Sequence, residues 1–369
     1  MALSKYKIGQ LIKIVDERNS YGIKAFYGIN INKEFMPTVA NTEGLDESNY
    51  KVVRENRFVF SGMQTGRDKC IRISMYFGKK PIIVSPAYTT FEIEATDIVL
   101  PIYFFMIFFS KEKDRLGWFY SDGSIRSNLD WDRFCDMELN IPDLITQQKY
   151  VDIYNAMVAN QQSYERGLED LKLVCDGYIE NLSACDYKEI ESFIERNQNK
   201  NQEKLFNKMH VKGFNNEGEF IKPMRLFSGD ISSFKVIKKN DFVYNPRINS
   251  TIKKLSVALN EGDDLIVSPA YESFSIRDKD ELDPFYLYML LQREIFAKKV
   301  LFNSFGSSTL VFGLDDLGEV KILVPNIKIQ RAIADIYRVY KERRSVNEQL
   351  KAQIKNICPI LIRGSLEER

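Results

Sequence analysis

Val84-Ser85-Pro86-Ala87-Tyr88 returns 183 residues later as Val267-Ser268-Pro269-Ala270-Tyr271. The same shift aligns Pro101-Ile102-Tyr103 with Pro284-Phe285-Tyr286, Gly123-Ser124 with Gly306-Ser307, Ile141-Pro142 with Val324-Pro325, and Tyr154 with Tyr337. Upstream the shift becomes 184, pairing Lys51-Val52-Val53 with Lys235-Val236-Ile237 and Asn56 with Asn240. One indel between Asn56 and Val84 reconciles the two. Agreement over such a length is not accidental, and two copies of one module make up the chain.

A chain of 369 residues accommodates two or three domains with sizeable cores. Its 44% hydrophobic and 28% charged content describes a folded protein rather than a disordered one. The five cysteines show no metal-ligand spacing, so free thiols in a cytoplasmic protein are expected. A single histidine, His210, argues against histidine metal sites and a Ser-His-Asp triad. The apolar run from Ile98 to Phe109 is too short to cross a bilayer and contains Pro101, so it reads as a buried helix and no membrane partner is expected.

In chain order, short β-prone runs begin near Tyr50 (Val52-Val53, Phe58-Val59-Phe60, Ile71-Arg72-Ile73, Pro81 to Val84) and lead into the Pro101 helix and a strand ending at Ile141-Pro142. The period then changes. Tyr154, Met157, Gln161, Tyr164, Leu168, Leu171, Cys175, Tyr178 and Leu182 recur at 3-4 spacing in a proline-free stretch. This predicts a heptad seam on a helix about 55 Å long; a plain amphipathic helix is the alternative. At the 183 shift the second copy keeps Tyr337, Tyr340, Ile354 and Leu361 and places polar residues between them. Polar seam positions fix register at some cost in stability, so the two helices are expected to pair antiparallel.

The expected fold class is α+β: two pseudo-twofold-related α/β modules separated by two long antiparallel coiled-coil helices. The predicted boundaries are 1–145 for the first module, 146–183 for the first helix and 184–205 for a solvated connector. They continue with 206–328 for the second module, 329–362 for the second helix and 363–369 for a polar tail.

Each copy carries a basic stretch at the same place. Residues 54–80 hold seven basic and two acidic residues, and residues 222–254 hold eight and two. In a chain of net charge +1 such clustering suits phosphate contact, while Arg, Lys, Asn and Gln at groove edges read bases. The candidates in copy one are Gln64, Thr65, Arg67, Lys69 and Arg72, then Ser124, Arg126 and Asn128. In copy two they are Asn245, Arg247, Asn249, Lys253 and Lys254, then Ser307, Ser308 and Thr309. A solvated surface role is the alternative for each one. The copies diverge at these loops while the surrounding framework matches.

This layout resembles the specificity subunit of type I restriction-modification systems over nearly the whole chain. The likeness rests on the repeated pentapeptide followed by Phe91 and Phe274, and on the junction into each helix. That junction reads Gly123-Ser124, Leu129-Asp130, Ile141-Pro142 and Gln147-Gln148, then Gly306-Ser307, Leu314-Asp315-Asp316-Leu317, Val324-Pro325 and Gln330. The resemblance implies two target-recognition domains reading the halves of a bipartite double-stranded DNA site. It implies helices that set the gap and dock two methyltransferase (modification) subunits, with restriction/translocase subunits joined through them. Tyr150, Glu165, Arg338 and Glu342 are candidates for that docking face, a merely solvated face being the alternative. S-adenosylmethionine, and ATP with Mg where a restriction subunit is present, then belong to the partners, and this chain carries no chemistry.

Three rivals remain. A DNA methyltransferase needs an Asn, Asp or Ser followed by Pro-Pro and an aromatic residue. Ser85-Pro86-Ala87-Tyr88 lacks the second proline and occurs twice, so it reads as a strand-turn. A nuclease needs carboxylate sets that neither copy repeats. A DNA-independent coiled-coil scaffold is disfavoured by the duplicated basic stretches. The specificity chain of a type IIB-like system differs in its partners and is not separable by sequence.

Overall fold

A computed structural model describes residues 3–38, 41–182, 186–223, 229–248, 254–302 and 310–367. The chain divides into two units: 1–165 with 346–369, and 166–345. Each long helix contributes one part to each unit.

Unit 1 is built on an antiparallel sheet in the order Ile12–Ile14, Thr89–Ile93, Phe58–Ser61, Arg72–Met75. A second sheet runs Phe35–Pro37, Phe26–Ile29, Ile82–Val84, Lys51–Val53, with one parallel pair. Alternation sorts the side chains between two cores. Phe58 and Phe60 enter the larger one with Ile71, Ile73 and Phe91, against the helix Pro101–Ile107, whereas Val59 joins Val53, Ile82 and Val84 in the smaller. Pro101 sits in the first turn, where its fixed φ suits helix initiation and its missing N–H costs nothing.

Unit 2 repeats the plan with Ile194–Arg196, Glu272–Ile276, Phe242–Tyr244, Val257–Leu259, and with Lys235–Ile237 paired to Leu265–Val267. Phe58 stacks on Phe91 at 5.0 Å, and their counterparts Phe242 and Phe274 stack at 4.6 Å. Asn56 and Asn240 both take the left-handed conformation, φ 67° and 71°, which asparagine tolerates better than most residues. The repeated pentapeptide is a turn carrying the chain from one sheet to the other. Tyr88 N donates to Ser85 O (3.0 Å) and Tyr271 N to Ser268 O (3.2 Å), while Lys51 Nζ and Lys235 Nζ donate to the two tyrosine carbonyls at 2.8 and 2.5 Å.

The long helices are Leu144–Glu180 and Ile327–Glu367. A buried glutamine fixes the start of each. Gln147 Nε2 donates to Ile98 O and Pro142 O, both 2.8 Å, while its Oε1 accepts from Leu100 N at 2.9 Å. Gln330 does the same with Glu281 O, Pro325 O and Asp283 N, at 2.8, 2.7 and 2.8 Å. The pairing is antiparallel in both units. In unit 1, Tyr150 faces Gly364, and Gln161 Nε2 donates to Asn347 Oδ1 at 3.0 Å. In unit 2, Gly167 lies near Arg343, and Ile179 shares a core with Ile333 and Tyr337.

On the seam Tyr154, Gln161, Leu168 and Cys175 are buried at seven-residue intervals, as is Ile354 on the second helix. Met157, Leu171, Tyr337, Tyr340 and Leu361 are half-buried. Tyr164 and Tyr178, expected in the seam, are exposed, because a two-helix pair covers one narrow stripe and their positions lean to its solvent edge.

Three boundaries differ from expectation. The supposed connector holds strands Tyr187–Glu189 and Ile194–Arg196, paired antiparallel with Lys321–Leu323 and Glu272–Ile276. Its charges face out from these short strands while Ile190, Phe193 and Ile194 are buried, so a folded start imitates a linker. Strands also begin well before Tyr50, with Ser4–Lys7 and Ile12–Ile14 in the matching places of unit 1. The expected polar tail continues the second helix to Glu367, and Ser365 Oγ lies 2.7 Å from Tyr103 Oη in the buried core.

Candidate nucleic-acid interface

In unit 1 the fold joins the two candidate loops, 62–69 and 121–129. Leu129 N donates to Gly62 O and Gly66 N to Ser127 O, both 2.9 Å, and Gln64 N donates to Asn128 Oδ1 at 3.1 Å. The approach is close enough that a Cβ on Gly66 would lie 2.1 Å from Ser127 Oγ. Arg67 is exposed, its guanidinium donating to Gln64 Oε1 (2.6 Å) and Asp68 Oδ1 (3.0 Å). Lys69 is exposed with its ammonium 4.6 Å from the Trp118 ring centre. Ser124 and Arg126 are exposed, and Asn128 is half-buried. Beneath them the buried Lys33 ammonium donates to Asp114 at 2.8 Å, and the same carboxylate oxygen accepts from Ile71 N, fixing the helix Lys111–Tyr120 to the loop.

Two candidates in this unit are engaged within the fold. Thr65 is fully buried and donates to Gly62 O at 3.0 Å, because it opens a short helical turn packed beneath Gly117. Arg72 is half-buried and bonds Asp68. Asp68, despite desolvation, is held below the usual carboxylate range by Arg67 and Arg72.

In unit 2 the equivalent join survives. Phe312 N donates to Pro246 O at 2.9 Å, and the ribbon Arg247–Ile248 pairs with Leu310–Val311. At the shifts of 183 and 184 this is the Leu129–Gly62 bond repeated. Asn245 Oδ1 accepts from Arg247 N at 3.0 Å, which leaves the Arg247 side chain exposed. Lys254 is half-buried; burial lowers its pKa against the pull of Glu217. Asn249, Lys253, Ser307, Ser308 and Thr309 lie outside the described residues.

The basic stretches are less free than their charge suggests. Arg54 and Arg57 both bind Glu17, whose carboxyl is held down to about 2, chiefly by the hydrogen bond from Arg54. Arg57 is buried and also bonds Glu92, Lys79 pairs with Glu55, and Lys235 with Glu272. Charges adjacent in sequence are neutralised by carboxylates from neighbouring strands. Among the docking candidates, Glu165 bonds Lys351 (2.7 Å) and the Arg338 guanidinium covers the Phe285 ring, while Glu342 is exposed.

Sequence reasoning passed over exposed apolar residues on and beside these loops: Met63, Trp118, Phe119, Tyr120 and Ile125. The signal was an apolar residue, Ile125, inside a Gly/Ser/Arg loop. Among the described residues no group of three or more His, Cys, Asp or Glu side chains is placed to hold a metal ion, and no helix is long and apolar enough to cross a membrane.

Residues 186–356 match the Methylase_S family, the type I restriction modification DNA specificity domain. The match begins beside Tyr187–Glu189, where unit 2's first strand begins. No curated protein matches the chain in sequence. Among solved structures, the type I restriction-modification S subunit from M. genitalium is similar with a TM-score of 0.56, at 9% identity over 99% of this chain and 96% of that one. The HsdS subunit from Thermoanaerobacter tengcongensis matches at 0.36 and 12% identity, over 99% of this chain and 97% of its own. A chain from work on complex assembly and conformational transition of the type I R-M system matches at 0.47 and 11%, over 99% and 98%. Neither of these last two carries weight in the fold assignment. With its duplicated units, each holding an antiparallel helix pair, the chain has the fold seen in the M. genitalium S subunit, and its residues 186–356 are similar to the type I restriction modification DNA specificity domain.

Proposed function

We propose that this chain is the non-catalytic DNA-reading subunit of a restriction-modification assembly. Each unit reads one half of a bipartite duplex site, the paired helices set the unread gap, and their exposed faces receive two methyltransferase subunits. S-adenosylmethionine, and ATP with Mg for any restriction subunit, act on those partners. The observation that carries this reading is the repeated backbone bond, Leu129 N to Gly62 O and Phe312 N to Pro246 O, which joins equivalent segments in both units. The loops themselves differ: Met63-Gln64-Thr65 stands where the other copy has Arg247-Ile248-Asn249. A conserved mount with different loop residues suits two readers of different half-sites.

The test is selection from a random duplex library by the chain together with its methyltransferase subunit. Two short fixed blocks around a constant gap are expected. The double variant Arg67→Ala, Lys69→Ala should blur one block and leave the other; equal loss on both blocks would overturn the two-reader scheme.

A further inference from the structure

The tip of the second loop in unit 1 carries a residue that the phosphate and groove-edge contacts do not use. Ile125 is 100% exposed. A single exposed apolar side chain is ordinary on a surface, but this one sits on a loop braced by its own hydrogen bonds. The Asp122 carboxylate accepts from Ser124 N (3.1 Å), Ser124 Oγ (2.6 Å) and Asn128 N (3.0 Å), closing the loop at its neck. Ser127 N donates to Ser124 O at 3.0 Å, and Ser127 takes a left-handed φ of 52° to make that turn. The clamp bonds then fix the neck to the loop that bears Arg67 and Lys69. A bulky apolar group is thus held outward on a braced tip, with exposed Ser124 and Arg126 beside it. No described residue packs on it, and its flanks suit a polyanion.

We infer that Ile125 is an apolar wedge that enters a base step in the half-site read by unit 1, with Arg126 and Lys69 on the flanking phosphates. This rests on the proposed DNA-reading role and adds a specificity-determining residue to it. An inserted aliphatic side chain partly unstacks the step and kinks the duplex, favouring flexible pyrimidine–purine steps at a position read through deformability rather than hydrogen bonds. The second copy has Ser308 at the corresponding place, so the wedge belongs to one half-site alone.

The experiment uses the chain with its methyltransferase subunit and the duplex it selects, with 2-aminopurine placed in turn through the unit 1 half-site. The wild-type complex should brighten one position several-fold. Ile125→Ala and Ile125→Ser should abolish that signal and weaken binding roughly tenfold with an unchanged salt slope, and Ile125→Leu should restore both. Arg126→Ala should instead lower the salt slope by about one. A signal that survives in Ile125→Ala, or affinity unaffected by it, would overturn the wedge while leaving DNA recognition intact. Failure of the wild-type complex to select any site would overturn the recognition reading, and the wedge with it.

Discussion

Equivalent residues in the two copies solve equivalent problems with different chemistry. Phe60 in unit 1 stacks on Phe134 at 4.5 Å, whereas its counterpart Tyr244 is fully buried with a hydroxyl that has no hydrogen-bond partner among the described residues. Burial raises its pKa strongly, and an unpaired buried hydroxyl is a net cost. Tyr244→Phe should therefore raise stability by about 1 kcal/mol, read as a higher denaturation midpoint with unchanged m-value. Three residues earlier the charge inverts. Arg57 is buried among Glu17, Glu92 and Val52 O, while Asp241 is buried against Asn197 and the Lys238 N–H. Sequence counting placed Arg57 among the basic residues of 54–80 and Asp241 among the two acids of 222–254. Burial decides such cases, and burial depends on strands distant in sequence.

At the scale of elements, the long helices begin where a glutamine ties them to the loop ahead of an apolar helix. Both amide groups are used on both sides, since Nε2 serves two carbonyls and Oε1 an N–H. Gln147→Glu would set a carboxylate against the Ile98 and Pro142 carbonyls inside a fully buried site. A loss of about 3 kcal/mol or more is expected, measured by chemical denaturation and relieved as pH falls and the acid protonates. The helices, the apolar Pro101 segment and the antiparallel seam were legible because periodicity and the internal repeat report them directly. The first strands of both units were not. Tyr6-Lys7 and Tyr187-Lys188 repeat each other, but strands of three or four residues with outward charges carry too little pattern to separate from a linker. The candidate loops were legible as divergent segments. Their mutual clamping was not, since it depends on backbone groups that no side chain reveals.

At the scale of the molecule, the helices are the part whose length the recognition reading puts to use. Removing one turn from each, at matched positions, shortens the pair by about 5.4 Å, against 3.4 Å per base pair of duplex. The preferred gap between half-sites should contract by about one or two base pairs while both blocks stay unchanged, as library selection would show. A constant gap would separate the helices from the measuring role.

The division of the helices also bears on how the protein is made. Unit 2 is one continuous stretch, 166–345, whereas unit 1 combines 1–165 with 346–369. The latter's main core includes Ile354 and Cys358, and Ser365 meets Tyr103 across 262 residues of sequence. On a ribosome extending the chain from its N-terminus, the first unit to be started is therefore the last to be finished. Its sheets emerge early with an open seam, and residues 346–369, which fill that seam, follow only after all of unit 2 has been made.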